Sequence, residues 1–265
     1  MNRFANWAIL LAFALLWLAA REATAHFQVL LPSTDVVSAG DEKAISLDIL
    51  FTHPMEQAPV MEMAAPRQFG VLLGGKKIDL RRDLTPRKVD GKTAYRCPFR
   101  VTTPGDHIFF IEPAPYWEAA EAKMIVHYTK VVVASMGDEQ GWDAMVGFPV
   151  EIEPLVRPYG LWTGNTFRGI VRRNGKPAPA ARVEVEYYNL GRRVKLPNDA
   201  FATQVVKTDG NGVFSYTMPR AGWWGFAAIL PGEEKMKNPD GKLVDVELGG
   251  LMWVRAVDME SKRAK

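Results

Sequence analysis

The sequence predicts an all-β protein, built as two β-sandwich domains behind a cleaved signal peptide. Three observations predict this fold class. Short segments such as residues 44–51 alternate apolar and polar side chains, as half-buried strands do. Turn-forming Gly, Pro, Asn and Asp residues separate these segments at regular spacing. After residue 25, no segment has the periodicity of a long amphipathic helix.

Residues 1–25 have the features of a secretory signal peptide. Arg3 supplies a positive charge, residues 7–20 are apolar, and Ala23-Thr24-Ala25 is an A-x-A cleavage site. The apolar stretch is about 14 residues long, which is shorter than the roughly 20 that span a bilayer. We therefore expect an exported, periplasmic protein that does not span the membrane once it is mature.

The first predicted domain comprises residues 26–155. Gly74-Gly75 is a hairpin signal between two of its strands. Residues 114–123, rich in Ala and Glu, are the exception and predict a short helix or an irregular loop. The predicted strands are 27–31, 44–51, 69–73, 77–80, 93–101, 107–112 and 123–134.

The second predicted domain comprises residues 156–265. Prolines and glycines interrupt the pattern at Glu153-Pro154, Arg157-Pro158 and Gly160, as in a linker. Gly249-Gly250 is interpreted as a turn. The predicted strands are 166–172, 182–188, 204–208, 213–218, 223–230 and 251–257.

Composition and motifs exclude several classes of function. The formal net charge is only +3, and no patch combines basic and aromatic residues, so we expect no nucleic-acid partner. The single cysteine, Cys97, lies in an alternating pattern and is predicted to be a buried, inert thiol. Nucleophile elbows, H-E-x-x-H motifs and Gly-rich phosphate loops are missing from the sequence, so we expect that the protein is not an enzyme.

His26 is the first candidate metal ligand. Cleavage after Ala25 makes it the N-terminal residue. Its α-amine and its imidazole then bind one metal ion as a six-membered chelate. The alternative is an exposed, frayed chain end. We predict the chelate, since Phe27, Val29 and Leu31 can hold the terminus in a sheet.

The other three histidines of the sequence are His53, His107 and His127. His53 ends a predicted strand, and Pro54 restricts its backbone to extended conformations. His107 and His127 each lie on a predicted strand among apolar neighbours, where a ring is satisfied either by hydrogen bonds or by a metal. If His26, His53 and His127 converge, they supply four nitrogens, which suit Ni(II) or Cu(II), and His107 would add a fifth donor.

The loop formed by residues 112–118, with the sequence EPAPYWE, combines aromatic and acidic side chains. It is interpreted either as a lid over the metal site or as a packed loop that covers one end of the sandwich.

Several segments resemble known families. In the second half these are Phe167–Val171, Asn174–Pro179, Val183–Val185, Thr208–Phe214 and Pro219–Trp224. They resemble transthyretin-like and carboxypeptidase-regulatory-like modules, which implies an Ig-like sandwich with a structural role.

A second resemblance extends over the whole chain after residue 25. Its main segments are Ala25-His26-Phe27, Phe51–Met55, residues 112–118 and His127–Val132; residues 141–142, 147–152 and 158–162 also fit. Together they resemble NikK-type proteins, exported components of energy-coupling-factor nickel transporters. The resemblance implies a periplasmic protein that binds Ni(II) or Co(II) and delivers it to membrane transporter subunits.

Two other interpretations remain open from the sequence. An N-terminal histidine with a second histidine also forms the histidine brace of copper oxidases. Alternatively, the eight tryptophans and the second domain fit a metal-free adhesion or carbohydrate-binding module.

Overall fold

One wide β-sheet runs through the middle of the fold and joins the two halves of the chain. The computed structural model describes residues 26–260, so the predicted signal peptide lies outside the described residues. The strands in chain order are β1 (Phe27–Pro32), β2 (Val36–Val37), β3 (Ala44–Thr52), β4 (Gln68–Leu73), β5 (Lys76–Asp79), β6 (Thr85–Val89), β7 (Lys92–Arg100), β8 (His107–Glu112), β9 (Tyr116–Glu118), β10 (Lys123–Ser135), β11 (Val150–Pro154), β12 (Leu161–Trp162), β13 (Thr166–Arg173), β14 (Lys176–Pro177), β15 (Arg182–Tyr187), β16 (Gln204–Lys207), β17 (Val213–Thr217), β18 (Gly222–Pro231), β19 (Met236–Lys237) and β20 (Leu243–Val257).

Helical structure is confined, within residues 26–260, to three short 3₁₀ helices: Arg81–Asp83, Leu190–Arg192 and Asp199–Phe201. In this part of the chain, no helix combines the length and the apolar character needed to cross a membrane. The predicted all-β, β-sandwich fold class is confirmed.

The central sheet has the strand order β16-β15-β18-β20-β10-β8-β4-β5, and short strands pair with β10 and β20 beside this path. A second sheet, β1-β3-β7-β6, covers one face of it, and a third sheet of β11, β13, β14 and β17 covers the other. The fold therefore has three layers.

The pairing of β10 with β20 joins the halves. These strands run parallel, and their register extends from Lys123↔Asp245 to Val131↔Trp253. The predicted boundary between residues 155 and 156 follows β11, which itself pairs with β13 of the second half. The two sandwiches thus share one sheet.

Two apolar clusters fill the spaces between the layers. Alternate side chains of β10 point into one cluster and the other. Ile125 and Val131 face the sheet that contains β1, whereas Val126 and Val132 face the sheet that contains β13. Because His127 has the same parity as Ile125, its side chain lies on the β1 side. Cys97 is buried on that side too, as predicted, and burial raises the pKa of its thiol to about 11.

Two segments contradict the sequence predictions, and the strands β6 and β11 were not predicted. Residues 114–123 contain β9, a short strand that pairs with β10. The last strand starts at Leu243 rather than at residue 251, so Gly249 and Gly250 lie within β20 and do not form a turn. The physical reason is close packing. A Cβ on Gly250 would lie 2.8 Å from the backbone of Val150, and one on Gly249 would overlap His127.

Candidate metal centre

His26 and His53 are brought together by the pairing of β1 with β3. Phe27, the first residue of β1, lies opposite Thr52, the last residue of β3. The residues just beyond this pair, His26 and His53, therefore face each other across the end of the sheet. Their ring centroids are 4.5 Å apart.

His127 approaches the same point from the central sheet. The Phe51 ring lies between the layers, with its centroid 5.6 Å from His26 and 5.9 Å from His127. The structure thus brings together three of the four predicted ligands, from three different strands or strand ends.

The three rings also interact electrostatically. Burial lowers the pKa of His26, and the charges of His53 and His127 lower it further, to about 3. His26 is therefore a neutral imidazole near pH 7, which is the form that binds metals.

Two carboxylates hold two of these rings. Nε2 of His26 lies 3.1 Å from Oε2 of Glu118, at the end of β9. Because the pKa of His26 is about 3, this contact joins a neutral imidazole to the Glu118 side chain near pH 7. Nε2 of His127 lies 3.1 Å from Oε1 of Glu247, on β20. Lys123 also pairs with Glu247.

The Glu247 carboxylate fixes the tautomer of His127. Burial alone would raise the pKa of Glu247, but hydrogen bonds and charges from His127 and Lys123 outweigh it and lower the pKa to about 2. An ionised carboxylate only accepts hydrogen bonds, so the proton lies on Nε2 of His127.

The other nitrogen of His127 is left for a ligand. Its Nδ1 is buried and lacks a hydrogen-bond partner among residues 26–260. Carboxylates that accept a proton from one ring nitrogen commonly orient a histidine whose other nitrogen binds a metal. The chemistry of this donor set therefore fits a divalent transition metal.

Gly249 makes room for this ring. It lies opposite His127 in the β10–β20 register. A Cβ at this position would lie 2.4 Å from Cδ2 of His127, so every larger residue displaces the imidazole. A glycine is required here by the site and not by backbone conformation.

The loop after His53 is fixed by the second half of the chain. The Met55 backbone N–H donates to Glu186 on β15 at 3.1 Å, and Asn189 donates to the Met55 carbonyl at 3.1 Å. The Asn189 N–H also donates to the Pro54 carbonyl. Burial raises the pKa of Glu186 to about 8.

A cavity of about 410 Å³ lies beside the cluster. Its walls are mainly apolar and aromatic, and they include Phe51, Tyr116, Trp117 and His127. Tyr116 and Glu118 belong to the predicted lid segment, and both contact His26.

His107 lies elsewhere. Its Nδ1 is 3.0 Å from the Gly105 carbonyl, and its ring packs against Phe99 and Phe109. In the sheet it pairs with Val133, at the opposite end of β10 from His127. The structure does not bring it to the other three histidines.

The three histidines lie close together, but their nitrogens are not arranged around one point as metal ligands are. Among residues 26–260, no group of three or more His, Cys, Asp or Glu side chains has the arrangement of a formed metal centre. Nε2 of His26 and of His127 is occupied by carboxylates, so an ion must be bound through Nδ1, with the rings turned toward it.

Sequence reasoning missed Glu247, Glu186, Asn189 and the role of Gly249. Glu247 and Gly249 are 120 or more residues from the ligands that they contact, and no local pattern marks them. Glu118 was within reach of sequence reasoning, because it belongs to the acidic and aromatic loop already associated with the site.

Comparisons with solved structures give only remote similarities. A protein of Corynebacterium diphtheriae described as membrane anchored is 8% identical, with a TM-score of 0.24; the match covers 88% of this chain and 60% of that one. Domains MG0-NIE-MG1 of Escherichia coli alpha-2-macroglobulin are 10% identical, with a TM-score of 0.24 and coverage of 91% and 75%. The major pilin subunit BcpA of Bacillus cereus is 8% identical, with a TM-score of 0.20 and coverage of 83% and 63%.

No curated protein matches the chain. A family model matches residues 23–232, a range that includes His26, His53 and His127. The chain belongs to the DUF4198 family, a domain of unknown function.

Proposed function

We propose that this protein binds a transition-metal ion, Ni(II) or Co(II), in the periplasm and passes it to a membrane uptake transporter. It acts by capture and release, without catalysis. One observation carries the proposal: three of the four histidines in the chain converge, with the His26 and His53 rings 4.5 Å apart and His127 beside them across Phe51.

The donor set favours these ions. After cleavage behind Ala25, His26 contributes its α-amine as well as Nδ1, so the cluster supplies four nitrogen donors. Nitrogen donors suit Ni(II), Co(II) and Cu(II) better than Mg(II) or Ca(II), which prefer oxygen. The carboxylates of Glu118 and Glu247 orient the rings and increase their basicity.

The delivery step rests on the resemblance to NikK-type proteins and on where His26 lies. It precedes β1, the terminal strand of its sheet. Displacement of this chain end by a transporter subunit would remove two donors at once. The ion would then leave through the adjacent cavity that His127 lines.

Calorimetric titration with Ni(II), Co(II), Cu(II) and Zn(II) tests the proposal. The protein that begins at His26 is compared with the same chain carrying one extra glycine before His26. The extension keeps all three imidazoles and removes the six-membered chelate between the α-amine of His26 and its own ring. We expect one ion per chain and a loss of affinity of about 100-fold in the extended protein, equal to roughly 2.7 kcal/mol.

Equal affinity in both proteins would remove the α-amine from the site, and no binding in either would contradict the proposal. Tighter binding of Cu(II) than of Ni(II) is expected of any nitrogen site and decides nothing. Reductant-dependent consumption of oxygen by the copper-loaded protein would instead favour the histidine-brace oxidase.

A further inference from the structure

The segment from Asn189 to Thr203 holds the loop that follows His53. Asn189 donates to the carbonyls of Pro54 and Met55, each at 3.1 Å. At the other end of the segment, the Thr203 hydroxyl donates to Glu186, the carboxylate that accepts the Met55 N–H. The position of His53 is therefore coupled to the position of this segment.

The outer side of the same segment is apolar and basic. Leu190 is 65% exposed and Phe201 is 50% exposed, and each lies on one of the two short 3₁₀ helices of the segment. Three exposed basic residues lie between them: Arg192, Arg193 and Lys195.

These cations are not held by carboxylates, although Arg192 donates to the Gln57 carbonyl at 3.5 Å. None of the three forms an ion pair within the described part of the chain, whereas arginines elsewhere in the fold do. Asp199 is the only acidic residue in the segment. The surface is therefore left with uncompensated positive charge next to two exposed apolar side chains.

We propose that this surface docks onto anionic lipid headgroups, with Leu190 and Phe201 inserted into the interface. A membrane surface offers this combination of chemistry, since anionic groups lie directly above apolar chains. Cations alone would fit an acidic protein equally well, but the two protruding apolar side chains favour the lipid surface.

Docking would also affect the metal. This part of the inference rests on the proposed function. Movement of the 189–203 segment pulls on the hydrogen bonds to Pro54 and Met55, and so displaces His53 from His26. The bound ion would be held less tightly at the membrane than in solution.

Vesicle co-sedimentation of the metal-free mature protein tests the docking itself. We expect binding to vesicles containing phosphatidylglycerol at low ionic strength and none to pure phosphatidylcholine. The double variant R193Q/K195Q should bind about 25-fold more weakly, at roughly fivefold per charge removed. Phe201→Ser should also weaken binding, whereas the matched surface variant K176Q/K242Q should not.

Three results would overturn the docking: no binding to phosphatidylglycerol, equal binding by all variants, or binding to poly-glutamate without binding to vesicles. The last result would indicate an acidic protein partner. Thermal melts of the variants exclude unfolding as the cause.

Release is measured separately, as Ni(II) affinity with and without phosphatidylglycerol vesicles. Affinity reduced by the vesicles in the unmodified protein, but not in R193Q/K195Q, supports the coupling. Unchanged affinity overturns the coupling and leaves the docking intact. A protein that binds no metal contradicts the proposed function alone, because docking is measured without metal.

Discussion

His107 on β8 and His127 on β10 are both 1% exposed and lie on neighbouring strands, yet their surroundings differ. His107 lies between aromatic rings and meets a backbone carbonyl through Nδ1. His127 meets a carboxylate through Nε2 and lies beside two more histidines, and its buried Nδ1 has no hydrogen-bond partner within residues 26–260. Along β10 the two sites are six residues apart, or about 20 Å.

Burial and strand position therefore do not distinguish a structural histidine from a candidate ligand. Both histidines have mainly apolar neighbours in the sequence. The difference is in the groups that other strands supply: Glu247 and Gly249 from β20 at one site, and Phe99 from β7 at the other.

Replacement of each histidine by alanine gives the largest contrast. We expect His127→Ala to lower Ni(II) affinity by at least about 100-fold, because loss of a ligand exceeds the 10–100-fold cost of losing an outer-shell partner. His107→Ala should leave affinity unchanged and cost about 1–3 kcal/mol of stability, through the unpaired Gly105 carbonyl. Calorimetry and thermal melts measure the two effects. Equal losses of affinity would remove the distinction between the sites.

Glu247→Gln tests the carboxylate that contacts His127 and has no counterpart at His107. The amide keeps the shape of the side chain but removes the charge that fixes the proton on Nε2. We expect Ni(II) affinity to fall by about 10–100-fold. His107 lacks such a partner, so Glu139→Gln serves as the matched control, because its carboxylate pairs with Arg157 and lies near Asp106, beside His107. A similar loss in that control would show that the effect is one of overall charge.

Gly249→Ala tests the space that β20 leaves for the imidazole. The added Cβ would overlap the His127 ring, so we expect a loss of about 1–3 kcal/mol of stability together with weaker metal binding. Gly210→Ala is the control, because its Cβ would meet nothing within 4 Å. A stable Gly249→Ala protein with unchanged affinity would show that the ring position is not important for binding.

Glu186→Gln has the smallest expected effect on metal binding, because Glu186 acts only through its hydrogen bond to the loop that follows His53. The folded protein holds the Glu186 proton up to a pKa of about 8, whereas the unfolded chain releases it near 4.5. Glu186 therefore lowers stability progressively as the pH rises from about 4.5 to 8. We expect the glutamine variant to lose this pH dependence. At pH 8 its melting temperature should exceed that of the unmodified protein by about 2–4 °C for each kcal/mol of stability regained. The same change in melting temperature between pH 5 and pH 8 in both proteins would contradict this assignment.

Much of the fold follows from local pattern. The alternation in residues 44–51 predicts the strand that carries Phe51, because side chains on a strand alternate between its faces. Residues 123–134, which carry His127, are also predicted as a strand, and the structure confirms it. Antiparallel neighbours close in sequence, such as β1 and β3, are also within reach, and their pairing brings His26 to His53.

The chain itself thus specified its strand content, its turns and the residue types able to bind a metal, since those depend on neighbours a few positions away. Tertiary structure alone decided that β10 pairs in parallel with β20, across more than 100 residues of intervening chain. That pairing supplies Glu247 and the space at Gly249, whereas the register of β8 against β10 places His107 opposite Val133 and away from His127. Local periodicity carries no information on such a contact, because a strand's alternation is the same whichever strand lies beside it.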